Sequence, residues 1–120
     1  MTTQPIDIAP TDWVIVQEIL QKHVPDREVW AFGSRAKRTA KTYSDLDLAV
    51  ITDTPMSFKV SGALREDLSK SDLPWRVDIV DWATTSETFR RIIEQDKVVL
   101  QSSKKLSDAP PVAEKLPPEA

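Results

Sequence analysis

The chain has 120 residues, no cysteine, one histidine and a formal charge of −3. That length favours one domain with a single modest core, and the missing cysteines exclude disulfides, thiolate catalysis and thiolate zinc sites, which fits a cytoplasmic protein. The slightly acidic balance argues against sequence-independent nucleic-acid binding; no apolar run of about 18 residues offers a membrane span, and the N-terminal residues do not read as a secretory signal.

Residues 1–10 carry two prolines and little periodicity, and are expected to form an irregular arm. Trp13, Val16, Leu20 and Val24, with Ile15 and Ile19 beside them, follow helical spacing. They predict a helix capped by Thr11 and stopped by Pro25. His23, near its end, is expected to be helix-terminal or solvent-facing rather than a catalytic base. The β-branched and aromatic run 27–32 predicts a strand, Gly33-Ser34 turns the chain, and a short helix begins at Ser34. A second strand follows over 44–51.

Residues 57–72 predict a third helix, with Phe58, Ser61, Leu64 and Leu68 along one side. Gly62 inside it is tolerated at about 1 kcal/mol against alanine. Residues 75–82 after Pro74 form a third strand. Residues 85–97 form a fourth helix capped by Thr85 or Ser86, with Phe89, Ile92 and Ile93 expected on the core side. Residues 98–101 end the fold as a short strand. From Ser102 four prolines and alternating charge, without aromatics, predict a disordered tail over 102–120. The α-β-α-β-α-β-α order over 11–101 indicates an α+β fold with helices packed on a small mixed sheet. Trp13, Trp30, Trp75 and Trp82 are expected in the core or at sheet edges.

Side chains at i and i+2 of a strand share a face. Asp45 and Asp47 therefore project together, with Ala49, while Leu46, Leu48 and Val50 face the helices. Two carboxylates about 7 Å apart along a strand repel one another, and a divalent cation relieves that conflict. In the third strand Asp78 shares a face with Val80, and adjacency to the second strand would bring it to Asp45 and Asp47. Asp81 falls on the other parity near the strand end and is expected to be structural or peripheral. Three converging oxygen donors suit Mg²⁺ or Mn²⁺, or a pair of ions used for in-line phosphoryl displacement. Gly33 permits close backbone approach, and the helix start after it, with the Ser34 hydroxyl, suits a triphosphate. Arg35, Lys37, Arg38 and Lys41 add positive charge nearby.

Gly33-Ser34, ten intervening residues, then Asp45-Leu46-Asp47 resembles the signature of the polymerase beta-like nucleotidyltransferase superfamily, and within it the minimal (MNT-type) nucleotidyltransferases. "GSRAK", "SDLDLAV" and "VDIVD" look like that family's blocks, and the resemblance spans about residues 11–101. It implies the polymerase beta-like fold and ATP as substrate. Gly33, Ser34 and Arg35 would bind the nucleotide, Asp45 and Asp47 would bind metal, and Asp78 would be the third acid, which helps deprotonate the attacking hydroxyl. Arg38 stands where many members have glycine. The resemblance further implies an antitoxin that transfers AMP to a tyrosine of an all-helical HEPN ribonuclease toxin. Two alternatives stay open: transfer to a small-molecule alcohol, and neutralisation of the partner by binding alone.

Overall fold

The computed structural model describes residues 4–103. Helix α1 (Pro10–His23) opens the fold, followed by strand β1 (Glu28–Phe32), a single helical turn α2 (Ser34–Lys37) and strand β2 (Leu46–Ile51). Helix α3 (Phe58–Lys70), strand β3 (Val77–Asp81), a 3₁₀ turn (Trp82–Thr84), helix α4 (Glu87–Asp96) and strand β4 (Val98–Gln101) complete it. The strands form one sheet in the order β3-β2-β1-β4. β1 is antiparallel to both neighbours, whereas β2 and β3 run parallel with α3 as their crossover. The expected α+β architecture and element order are therefore found.

The alternation read in β2 separates two cores. Leu46, Leu48 and Val50 join Val29, Ala31 and Ile79 on one face of the sheet, where Val16 and Leu20 of α1 and Leu64 and Leu68 of α3 cover them. On the other face Ala49, Trp30 and Phe32 meet Ile93 of α4. His23, the last residue of α1, places Nε2 2.6 Å from Oδ2 of Asp67 and ties α1 to α3. That hydrogen bond draws the Asp67 carboxyl below its usual range, helped by Lys22. The histidine thus has a structural role on the face away from the aspartates. Asp81 is structural too: it accepts from the Thr52 hydroxyl (2.5 Å) and from the Met56 amide (2.7 Å), joining the end of β2 to the approach to α3.

Three local expectations need correction. Thr11 lies inside α1, and the helix begins two residues earlier than a Thr11 cap implies because Pro10, with its fixed φ, occupies the first helical position after Ala9. The arm is irregular, as expected, and it also contributes to the core. Ile6 is fully buried and Ile8 nearly so, each within the main core, where a buried isoleucine contributes about 2 kcal/mol. On α4 Ile93 is buried and Phe89, though 37% exposed, packs edge-on against Phe32 (ring centroids 5.7 Å), while Ile92 is 48% exposed and turns away from the core. On α3, Phe58 is 98% exposed, because the helix starts beyond the rim of the sheet and engages it only from Leu64 onward. The tail is expected over 102–120, and from residue 104 onward it lies outside the described residues.

Arg38 closes α2 in the left-handed region (φ 62°, ψ 36°), with its amide bonded to the Ser34 carbonyl. A glycine preference at this position follows from that conformation, which for other L-residues costs about 1–2 kcal/mol. The Arg38 side chain offsets part of this by donating to the Gln4 carbonyl of the arm. Arg38→Gly is expected to stabilise the protein by about 0.5–1 kcal/mol once the greater freedom of glycine in the unfolded chain is subtracted. Urea unfolding measures this, and a lower midpoint would contradict it.

Candidate active site

The acidic cluster is built by register. β1 and β2 pair Phe32 with Asp47, so the residue after Phe32 stands against that carboxylate. It is Gly33, at φ 79° and ψ −160°, a conformation open almost only to glycine. A Cβ there would collide with Asp47 Oδ2. The turn and the carboxylate, fourteen positions apart in sequence, are thus packed together with no room for a side chain between them.

The parallel pairing of β2 with β3 sets Asp47 beside Asp78. Asp45 immediately precedes β2, and the Leu46 amide donates to the Arg76 carbonyl (2.9 Å), which fixes the start of the register. All three carboxylates consequently lie on the same side of adjacent strands. Their mutual repulsion is visible at Asp47, whose carboxyl is raised above its ordinary range first by burial, then by the charges of Asp78 and Asp45.

As they stand, the three acids do not form a closed cage. Among the described residues no group of three or more histidine, aspartate or glutamate side chains is gathered closely enough to hold a metal ion. Part of the reason is Arg76, whose Nη2 lies 3.0 Å from Asp45 Oδ2 and holds that carboxylate. Arg76 has the same strand parity as Asp78 and sits 77% exposed, so this pair is a solvent-screened surface contact that contributes little to stability. The donor set still fits a hard divalent cation. It consists of carboxylate oxygens, one of them half-buried and strained by like charge, beside a glycine cradle.

Arg35 has a different setting from the one its sequence position suggests. Its side chain is buried, with Nε donating to Ser44 O (2.9 Å), Nη1 to Asp7 O (2.9 Å) and Nη2 to Thr42 O (3.2 Å). The guanidinium also stacks 4.3 Å from the centre of the Trp75 ring. Burial lowers its pKa, opposed by Asp7, Asp12 and Asp45. It therefore ties the arm, the 38–45 loop and the approach to β3 into the frame that presents Asp45. Lys37 reaches toward Asp96 of α4 at 4.0 Å, and Arg38 is committed to the arm. Ser34 opens α2 beside Gly33 with its side chain partly exposed. Sequence reasoning did not single out Arg76; its parity with Asp78 was the available signal.

A family model described as polymerase beta, nucleotidyltransferase, matches residues 15–105. A probable protein adenylyltransferase MntA from Haemophilus influenzae is 54% identical over 105 residues, covering 88% of this chain and 92% of the relative. Among solved structures, a toxin–antitoxin complex with AMP-PNP superposes with a TM-score of 0.65 at 22% identity, over 78% of this chain and 76% of that one. A tri-AMPylated HEPN toxin in complex with MNT antitoxin from Shewanella oneidensis gives a TM-score of 0.60 at 19% identity, over 81% and 75%. At these identities the structural likeness speaks for the fold.

Proposed function

The chain belongs to the polymerase beta nucleotidyltransferase family, and on that premise we propose that it transfers AMP from ATP to a tyrosine hydroxyl of an all-helical HEPN ribonuclease, as the antitoxin of a toxin–antitoxin pair. The observation that carries this reading is the register setting Asp47 beside Asp78, with Asp45 one step outside β2 and Gly33 closed against Asp47. The relative named as a protein adenylyltransferase supports the reaction, and the solved complex of an MNT antitoxin with a tri-AMPylated HEPN toxin supports the acceptor. No helix among the described residues is long and apolar enough to cross a membrane. Together with the absence of cysteine this supports action in the cytoplasm.

In this reading Ser34 and the Gly33 turn receive the triphosphate, with the Ser34 hydroxyl donating to a phosphate oxygen. Arg35 acts from behind, holding the loop that carries Asp45. Asp45, Asp47 and Asp78 would hold Mg²⁺ or Mn²⁺, which supplies charge neutralisation for the phosphates and acidifies the acceptor hydroxyl. The acceptor oxygen bonds to the α-phosphorus as the bond from that phosphorus to its bridging oxygen breaks. Pyrophosphate leaves, and Asp78 takes the acceptor's proton. Positioning and electrostatics carry the step, which fits a chain whose one histidine is engaged elsewhere.

The test is incubation with α-labelled ATP, Mg²⁺ and the cognate helical partner, beside a panel of small alcohols. Label on the partner, with its ribonuclease activity silenced, is the expected result. Label on a small alcohol alone, or a silenced but unlabelled partner, would overturn the proposal.

A further inference from the structure

Arg76 belongs to the acid face by register. Leu46 pairs with Val77 and Asp47 with Asp78 across the parallel strands, so Asp45 and Arg76, one step before that ladder, stand opposite each other. The face therefore carries two cross-strand pairs, Asp45 with Arg76 and Asp47 with Asp78, in which one guanidinium meets three carboxylates. The backbone of Arg76 is pinned. Its carbonyl accepts from the Leu46 amide (2.9 Å), and the preceding Trp75 stacks against the buried Arg35. The head is held far less firmly: among the described residues its partner is Asp45, through Nη2 alone at 3.0 Å, and the side chain is 77% exposed. The Asp45 hydrogen bond, then the charges of Asp45 and Asp78, raise the Arg76 pKa above its ordinary value, so the guanidinium lies in the field of both acids. The cations nearer the Gly33 turn point elsewhere. Arg35 is buried among carbonyls, Lys37 reaches toward Asp96, and Arg38 is committed to the arm. Lys41 sits in the loop before β2, off the strands that carry the acids.

We propose that Arg76 is an exchange cation of this site: it neutralises Asp45 in the metal-free protein and binds the α-phosphate of the nucleotide once Asp45 turns to a divalent ion. This rests on the AMP-transfer reading and adds a residue that holds its donor substrate. The carboxylate that Arg76 holds is one of the expected metal ligands, so the two cations compete for one acid. When Asp45 is taken, the guanidinium is left without an acid on a pinned backbone, two residues before Asp78 and on the same face. The α-phosphate comes to that strand, because Asp78 takes the proton of the hydroxyl that attacks it. A triphosphate laid over three carboxylates leaves net negative charge on this face even with two divalent ions bound. A guanidinium hydrogen bond to a phosphate oxygen answers that charge and is about twice as strong as a neutral one. The strand order β3-β2-β1 puts Arg76 on one flank of β2 and the Gly33 turn on the other. The nucleotide is then held from both flanks, with Asp45 and Asp47 between.

Two variants test this. Arg76→Met removes the charge and the donors but keeps the stem, and Arg76→Lys keeps the charge. Two affinities are measured on the full chain without any partner: Mn²⁺ alone, by electron paramagnetic resonance, and a fluorescent non-hydrolysable ATP analogue with Mg²⁺. Arg76→Met should bind Mn²⁺ about two- to fivefold more tightly, because a screened surface pair no longer competes for Asp45. The same variant should bind the analogue about tenfold or more weakly, through loss of a charge-assisted hydrogen bond. Arg76→Lys should stay within about threefold of wild type in both, since the contact uses one donor rather than a fork. Opposite signs mark the exchange, because a loosened fold would weaken both affinities together. Mn²⁺ binding that is unchanged or weaker in Arg76→Met, or analogue binding within about twofold of wild type, overturns the proposal. Should Arg76→Met fail to fold, Arg76→Gln is read by the same two criteria. Wild-type transfer to the helical partner, run in parallel, reports on the AMP-transfer reading alone, so its failure is told apart from failure of the exchange.

Discussion

Replacing Asp47 with asparagine is expected to abolish AMP transfer while making the metal-free protein more stable. The two effects share one cause. Asp47 is partly buried between Asp45 and Asp78, and burial and like charge hold its carboxyl above the ordinary range. A carboxyl whose folded pKa is raised binds its proton more tightly folded than unfolded. Stability is therefore lost as pH rises from the unfolded value, about 3.9, through the folded one, and the deficit persists at neutral pH. Asparagine removes that deficit, so its Tm at pH 7 in EDTA should exceed that of wild type. The advantage should shrink below pH 4, where both forms are neutral. Magnesium with an ATP analogue should raise the Tm of wild type and leave the variant nearly unmoved, since only binding to the folded state stabilises it. Transfer should fall more than about a hundredfold, because even the outer partners of metal ligands are worth about 10–100-fold. A lower Tm for the variant in EDTA, or transfer within tenfold of wild type, would contradict the assignment.

Gly33→Ala should be nearly as damaging, for a steric reason. At φ 79° and ψ −160° an alanine pays about 1–3 kcal/mol in backbone strain. Its Cβ must also displace the Asp47 carboxylate, against which Gly33 is closed. The substitution therefore moves the acid and the phosphate turn together. A loss of about 2 kcal/mol or more in urea unfolding is expected, with a loss of transfer of about a hundredfold. The second glycine is the internal control. Nothing lies within 4 Å of a Cβ added at Gly62, so Gly62→Ala in α3 should stabilise by about 1 kcal/mol and leave transfer unaltered. Equal effects at the two positions would remove the special role of Gly33.

The acidic face was legible because strand parity is a short-range property. Asp45 and Asp47 follow from period two, and Asp78 follows once β3 is taken as the neighbour of β2, as the parallel register shows. Turn chemistry made Gly33 and the short helix after it legible, and helical spacing gave the other three helices to within a few residues. What stayed hidden depends on long-range packing. Arg35 reads as a cation near phosphate, yet its partners are carbonyls at positions 7, 42 and 44, which no local pattern connects. Ile6 and Ile8 are too short a segment to show a period, although they fill the main core. The hold of Arg76 on Asp45 joins residues 31 positions apart. The left-handed Arg38 was visible only as a missing glycine until its backbone angles supplied the reason.

The most direct measurement of the central claim is a crystal structure of this chain with magnesium and a non-hydrolysable ATP analogue. The expected result is metal density bound by Asp45, Asp47 and Asp78, with Arg76 released from Asp45 and the triphosphate against Gly33 and Ser34. Carboxylates still apart, Arg76 still paired with Asp45 and the nucleotide seated elsewhere would contradict it.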